Sequence, residues 1–566
     1  MPSFLIQWTS HLKQIILNLD DIFTKKIEDL YKKKQFEQIK FEISNLEEKD
    51  KKNPFIYNLQ GIIETLNKNF DQAKSYFQSA LKLDQYYIHS LLNLSRISYL
   101  DKDFQNIINL LKNYHKKNPE NKEVLVNLAN LSFAAGFFED ALYFHKKLVD
   151  SGKFEIADLT ALIFLFNYSS DYSEEIYKKY CKLYDDILSN RKINYNINLK
   201  DHDKFKIGFL SYDLKEHSVG FFLKDFIKEL KKRNFIPIAF NLADTQKNKS
   251  NFVSELKQSF IEWHDVINLQ DKDLSNFIYE KKIYFLIDLA GYTTNNRLQV
   301  FKNKPVPIQI SWLGYCNKTY INEIDYMIAD PYVLSEKENK TGQKIIRLKK
   351  IWNSLSKLNE VEINELPALS NKYFTFGCFN NFLKISDEVL DTWSQILNTI
   401  PNSRLMLKSS VNADKNYKSY LLKRIKINLN EERIIFLNYE KDKNKSLEQY
   451  NKIDISLDTF PYNGNTTSFE SIWMGVPVLT LKGNNFISRC GYSINKNLNL
   501  EQLIAKNKKD YIEKAINLAS SSNLKNLNTL RNSLRKKAMV SPLFNTSALA
   551  ENFSKELIKI SNRDHS

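Results

Sequence analysis

Residues 453–483 read IDISLDTFPYNGNTTSFESIWMGVPVLTLKG, and the division of this stretch into elements decides the fold. Ile455 and Leu457 form a short apolar run that ends at Asp458. Pro461, Asn463 and Gly464 break it, because proline lacks an amide donor and Asn-Gly accepts turn dihedrals. Thr466 or Thr467 is placed to cap a helix whose apolar face is Phe469, Ile472 and Trp473. Gly475 ends that helix, and Val476, Pro477, Val478 and Leu479 open another strand. A strand, polar turn, helix and strand in this order predict a pocket at a strand's carboxyl end, where open α/β sheets place ligands. The unpaired amides at the helix start suit a diphosphate. Glu470 shares the face of the two threonines one turn further in, where a carboxylate could accept hydrogen bonds from ribose hydroxyls. Thr467-x-x-Glu470 also fits a capping box, which stabilises a helix and binds nothing.

Outward from this stretch, 566 residues are too many for one core and predict roughly three to four domains. With 43% hydrophobic and 26% charged residues, the composition is that of a globular protein. No apolar run is long enough to span a bilayer. The opening MPSFLIQWTSHLKQIILNLDD lacks a basic n-region and a cleavage site and reads as a helix. Cys181, Cys316, Cys378 and Cys490 show no metal-ligand or disulfide rhythm, which points to a reducing cytoplasm. The net charge of +16 raises nucleic acid as a partner, but the lysines are spread along the chain without an aromatic-interleaved basic strip, so none is expected.

Upstream, Phe36, Phe70, Phe104 and Phe138 each begin a similar tetrad, and they recur every 34 residues. Gly61, Ser95 and Ala129 keep the register as small residues, and Tyr57, Leu91 and Leu125 as large ones. This period is that of the tetratricopeptide repeat, a stacked helix-turn-helix unit. Asn93 and Asn127 fall at equivalent places on successive first helices, where their amides could hold an extended peptide or simply face solvent. Residues 153–203 read as a helical adaptor followed by a polar linker. Beyond it, strands around 204–211, 236–240, 283–289 and 305–312 alternate with helices and predict one α/β lobe. Strands around 373–379, 403–407 and 433–436, followed by the opening stretch, predict a second, and residues from about 540 a final helix that could return to the first lobe.

The blocks GFLSYDLKEHS, IDLAGYTTNNRLQVFKNKPVPIQISWLGY, FGCFNNFLKISDEVLDTWSQIL and DISLDTFPYNGNTTSFESIWMGVPVLTL occur in this order. Together with the upstream repeats they resemble the O-linked N-acetylglucosamine transferase family, in particular its bacterial and SPINDLY-like branch. The resemblance implies an α-helical tetratricopeptide-repeat solenoid followed by a GT-B type α/β transferase with two Rossmann-like lobes. The boundaries expected are 1–152 for the array, 153–203 for adaptor and linker, 204–370 for the N-terminal lobe and 371–566 for the nucleotide-sugar lobe. It also implies an inverting transfer without a metal or cofactor.

Carried over position by position, His217 matches the histidine beside donor and acceptor, and Lys384 the lysine at the donor diphosphate. A fixed ammonium there stabilises the charge that builds on the leaving nucleotide. Asn381, Asn463, Gly464, Asn465, Thr466 and Thr467 match donor-binding positions, and Glu470 stands where the family has an acidic residue for ribose. Ser446 occupies the loop where animal members carry a nucleotide-contacting histidine, with Lys443 the nearest basic candidate, and Tyr462 replaces a cysteine. The expected function is transfer of a sugar, foremost N-acetylglucosamine from UDP-GlcNAc, to Ser or Thr hydroxyls of proteins chosen by the repeats. The alternatives are a protein O-fucosyltransferase using GDP-fucose and a catalytically weak repeat scaffold.

Overall fold

The computed structural model describes residues 21–101, 104–195, 204–244, 250–335, 343–408, 415–425 and 431–564. The expected N-terminal helix and most of the polar linker lie outside the described residues. The chain divides into two compact units, Met1–Lys153 and Phe154–Ser566.

The first unit is a row of helix pairs. The four phenylalanines of the 34-residue period each open the second helix of a pair: Phe36–Ser44, Phe70–Leu83, Phe104–Lys117 and Phe138–Asp150. The first helices Pro54–Leu66, Ile88–Asp101 and Lys122–Ala134 carry the small positions, and Ser95 and Ala129 are fully buried where helices meet. Asn93 and Asn127 are drawn into the array itself. Asn93 donates to Asn58 Oδ1 at 3.0 Å, while Asn127 accepts from Ser95 Oγ at 2.6 Å and donates to the Glu123 carbonyl at 2.8 Å. Their amides therefore tie neighbouring repeats together.

The second unit contains two parallel sheets. Strands β1 (Phe205–Ser211), β2 (Phe235–Asn241), β3 (Glu262–Asp265), β4 (Phe285–Asp288), β5 (Ile308–Ser311), β6 (Tyr326–Ala329) and β7 (Lys344–Arg347) form the first. Its order is β3-β2-β1-β4-β5-β6-β7. Strands β8 (Phe374–Cys378), β9 (Ser403–Lys408), β10 (Ile434–Leu437), β11 (Ile455–Leu457), β12 (Val478–Leu481) and β13 (Ile504–Ala505) form the second, ordered β10-β9-β8-β11-β12-β13. Both sheets reverse direction of winding at one place, between β1 and β4 and between β8 and β11. The central strands are apolar because helices cover both faces, whereas β3 and β7 at the edges of the first sheet carry polar and exposed residues.

The lobes share a core. Phe222, on the helix Ser218–Lys231 of the first lobe, meets Phe469 of the helix Thr466–Trp473 edge-on at 5.3 Å. The final helix, Thr546–Asp564, packs on the first lobe through Phe553, whose ring lies 5.1 Å from Phe226 and 5.0 Å from Trp312. The adaptor helices Ile156–Phe166 and Glu174–Ser189 belong to this same unit. Buried Lys302 bonds Asp185 at 2.7 Å and pairs with Glu323 at 2.9 Å, while Tyr177 Oη donates to the Lys318 carbonyl at 2.7 Å. An isolated charge among these buried groups is costly, so the triad fastens the adaptor to the lobe only as a complete set.

Candidate active site

The candidate site is built on the loop between β11 and the helix Thr466–Trp473. Asp458 follows the strand and is buried. Its Oδ1 accepts from the amides of Thr459 at 3.0 Å and Gly464 at 2.6 Å, and its Oδ2 from Thr480 Oγ1 at 2.7 Å. Enclosure pushes its pKa up to about 6, against the pull of the Lys384 charge and these donors. One carboxylate thus gathers the two ends of a six-residue loop. Asn463 completes the fastening: its Nδ2 donates to the Thr459 carbonyl at 2.9 Å, and its Oδ1 accepts from the Gly491 amide at 3.2 Å. A Cβ on Gly464 would stand 2.8 Å from Asn380 Oδ1 and 2.9 Å from the hydroxyls of Ser468 and Thr467, so only glycine fits.

Lys384 comes from the loop after β8. Its residue surface is only half-buried, but the ammonium is enclosed: it donates to the Asn463 carbonyl at 2.9 Å and lies 4.2 Å from the centre of the Tyr462 ring. Burial lowers its pKa, and the Asp458 carboxylate works against that shift. On its other side Tyr462 packs on Tyr168 of the adaptor, with ring centroids 4.5 Å apart. Asn380, next in sequence to Asn381, accepts from Thr467 Oγ1 at 2.5 Å and donates to Thr459 Oγ1 at 3.3 Å. The structure therefore assembles Lys384, Asn463, Gly464 and Thr467 around one point, although 79 residues separate Lys384 from Asn463.

The expected caps are corrected. Asn465, and neither threonine, holds the N-cap position, and it makes no side-chain cap bond; its Oδ1 accepts from Asn353 Nδ2 at 3.1 Å. Thr466 is the first helical residue and half-buried. The capping box is absent as well. Thr467 bonds Asn380, and Glu470 Oε2 accepts from Tyr450 Oη at 2.9 Å, so both side chains have turned from the helix terminus toward the site. Asn381 is exposed and caps the short turn Phe382–Lys384 by accepting from the Leu383 amide at 3.0 Å. Lys443 is exposed too, its ammonium 4.2 Å from the Phe221 ring and 4.9 Å from Phe252 on the opposite lobe. It reaches the site only as a charge felt by Glu470.

His217 precedes the helix Ser218–Lys231, the element that carries Phe222 against Phe469. Its Nδ1 accepts from the Val219 amide at 3.4 Å, so Nε2 carries the proton of the neutral ring. Burial, opposed by Asp213 and aided by Lys215, lowers its pKa and keeps the ring neutral at pH 7. The side chain stays 46% exposed.

Two features escaped the sequence reading. Lys408, at the end of β9, is buried, and its ammonium donates to Ser446 Oγ at 3.0 Å and to the Ser446 carbonyl at 3.2 Å. It sits 4.5 Å from the Phe379 ring and 5.3 Å from Tyr450, the residue that holds Glu470. Cys316 and Cys490, 174 positions apart in the numbering, both act on the Lys384 charge; Cys490 Sγ donates to the Phe486 carbonyl at 3.7 Å, and all four cysteines are free thiols.

Residues 163–346 and 361–553 match the family described as glycosyl transferase family 41. The chain is 33% identical over 357 residues to a tomato (Solanum lycopersicum) protein named probable UDP-N-acetylglucosamine–peptide N-acetylglucosaminyltransferase SPINDLY, covering 61% of this chain and 37% of that one. An Arabidopsis thaliana protein of the same name is 32% identical over 358 residues, covering 62% and 39%. The chain thus spans less than two-fifths of the length of these curated relatives. A solved structure of a mutant Thermobaculum terrenum O-GlcNAc transferase superposes with a TM-score of 0.73 at 23% identity, covering 90% of this chain and 98% of that one, and shares its fold.

Proposed function

The chain belongs to glycosyl transferase family 41, and from that membership and the assembled loop we propose that it transfers a sugar from a nucleoside diphosphate to a Ser or Thr hydroxyl of a protein. The observation that carries this reading is the enclosed Lys384 ammonium, held near the start of the helix Thr466–Trp473 with, among the described residues, one hydrogen bond, to the Asn463 carbonyl. Its remaining N–H groups, the first amides of that helix and the Thr467 region form a pocket for a diphosphate. The acceptor oxygen attacks the anomeric carbon and the bond to the phosphate oxygen breaks on the opposite face, which inverts the centre. The electron pair leaves with the nucleotide, and Lys384 stabilises the charge gathering there. His217 donates from Nε2 and positions the reacting groups, while the acceptor proton passes to a phosphate oxygen.

UDP-N-acetylglucosamine is the leading donor, as the names of the relatives suggest, and GDP-fucose is the alternative. No metal or cofactor takes part. The repeats present the protein acceptor, and the reaction proceeds in the cytoplasm; among the described residues no helix is long and apolar enough to cross a membrane. Calorimetric titration with UDP-GlcNAc, GDP-fucose, UDP and GDP, repeated on Lys384→Ala, tests the reading. Binding of one nucleotide class that weakens in the variant supports it; a folded protein that binds none of the four sinks it.

A further inference from the structure

Lys408 is a charged side chain with no assigned role, only 7% exposed, at the carboxyl end of a strand. The sheet order places it. Diphosphate groups would lie over β11, where Asp458, Gly464 and Lys384 meet; β8 and then β9 follow on one side. Two strand spacings carry a ligand about 10 Å from the phosphates to the end of β9. Glu470, the carboxylate expected at the ribose, lies on this path, linked to Lys408 through Tyr450: its carboxylate accepts from Tyr450 Oη at 2.9 Å, and the Lys408 ammonium is 5.3 Å from the same ring. The path ends at Lys408, which is backed by Phe379 and bonded to Ser446.

Two of the three N–H groups of Lys408 go to Ser446; among the described residues its other neighbours are the faces of Phe379 and Tyr450, at 4.5 and 5.3 Å, and no third hydrogen-bond acceptor is found. An ammonium donates and never accepts. Beyond the ribose, the polar edge of the nucleobase is what the third N–H can meet. Uracil and guanine present a carbonyl where cytosine and adenine present an amino group. We propose that Lys408 is a specificity-determining residue that selects a keto nucleobase, uracil or guanine, in the donor. This rests on the transferase reading above and deepens it. It also accounts for a lysine that stays buried with carboxylates only at a distance: Glu470 and Glu440 act on it electrostatically, while burial lowers its pKa to about 8. Tyr450 also faces it, its hydroxyl held un-ionised by burial, and the Lys443 charge acts on Glu470.

The test titrates the full chain with UDP, GDP, ADP and CDP. The native chain should bind its keto nucleotide at least about tenfold more tightly than ADP and CDP. Lys408→Met should weaken that nucleotide about tenfold and leave ADP and CDP within about twofold. Lys408→Arg should keep the preference. It should also remove the loss of affinity that the native chain shows as pH rises from 7 to 9, since guanidinium stays protonated. An unchanged ratio of keto to amino nucleotides in Lys408→Met, or an equal loss for all four, overturns the proposal. If Lys408→Met does not fold, a Lys408→Arg variant with the native pH profile overturns it instead. A native chain that binds none of the four refutes the transferase reading, a result distinct from either.

Discussion

Asp288 and Asp458 stand at the same place in the two lobes, at the end of the strand beside the reversal of the sheet. Both are buried, both fasten the following loop by its amides, and burial pushes both up to about 6. Asp288 accepts from Ala290 at 3.0 Å and Gly291 at 3.1 Å. The lobes differ in what lies across from the carboxylate. In the first, Gly291 adopts a left-handed φ of 51°, and a Cβ there would stand 2.5 Å from the Tyr315 side chain, which itself packs on Tyr292. The space is filled with aromatic rings. In the second, Lys384 reaches across instead, and the start of a helix is left facing the loop. A fastened loop at a strand end is thus a scaffold common to both lobes; an enclosed cation beside it is what makes one of them the proposed binding site.

Removing that cation should have the largest effect. Lys384→Ala is expected to lower turnover about 10³-fold, roughly 4 kcal/mol of barrier, while nucleotide affinity falls far less. Steady-state and single-turnover rates with the donor check this, and a loss confined to KM would break the contrast between the lobes.

The next test removes each carboxylate. Asp458→Ala and Asp288→Ala should each destabilise the protein by about 3 kcal/mol, because buried amides lose their acceptor. Only Asp458→Ala should also abolish nucleotide binding at temperatures where the variant remains folded. Thermal unfolding with and without nucleotide separates the two outcomes.

Titration sharpens the likeness. Each folded pKa is raised from 3.8 to about 6, so each group adds stability that is full below pH 3.8 and lost as pH rises through 6. Asp288→Asn should therefore remove up to about 3 kcal/mol from the change in stability between pH 4 and pH 6.5, read by denaturant unfolding at several pH values. The smallest change is expected for Glu470→Gln, which keeps an acceptor for Tyr450 but would weaken the proposed bond to ribose. A tenfold loss of nucleotide affinity, about 1.4 kcal/mol, with an unchanged Tm would fit; loss of affinity only for deoxyribose nucleotides would not.

The repeat array and most strands were legible because their patterns are local. A 34-residue period marks the array, and apolar runs mark the buried strands of parallel sheets. The strands that escaped are short or polar. β3 reads EWHD and is half-exposed, β13 has two residues, β7, at the edge, begins with exposed Lys344, and β6 is a largely buried run of only four residues, YMIA. The site was legible in part: Lys384, Asn463, Gly464 and Thr467 lie in recognisable blocks and do converge. The capping role of the threonines was misread because spacing along a helix cannot show that Asn380 and Tyr450 compete for Thr467 and Glu470. Lys408 was invisible as one of 82 Lys and Arg residues.

By itself the sequence determined which segments fold as helix pairs, which as strands, and where the chain must turn, since those depend on periodicity and on residues a few positions apart. Only the tertiary structure decided which strand-end loop is packed with rings and which is met by a lysine. It also drew Lys408 toward Glu470 and brought Asn380, 87 residues earlier, to Thr467. The physical reason is that a side chain's charge and hydrogen-bonding capacity acquire a function from the groups that enclose it, and here those groups come from strands adjacent in the sheet and distant in the chain.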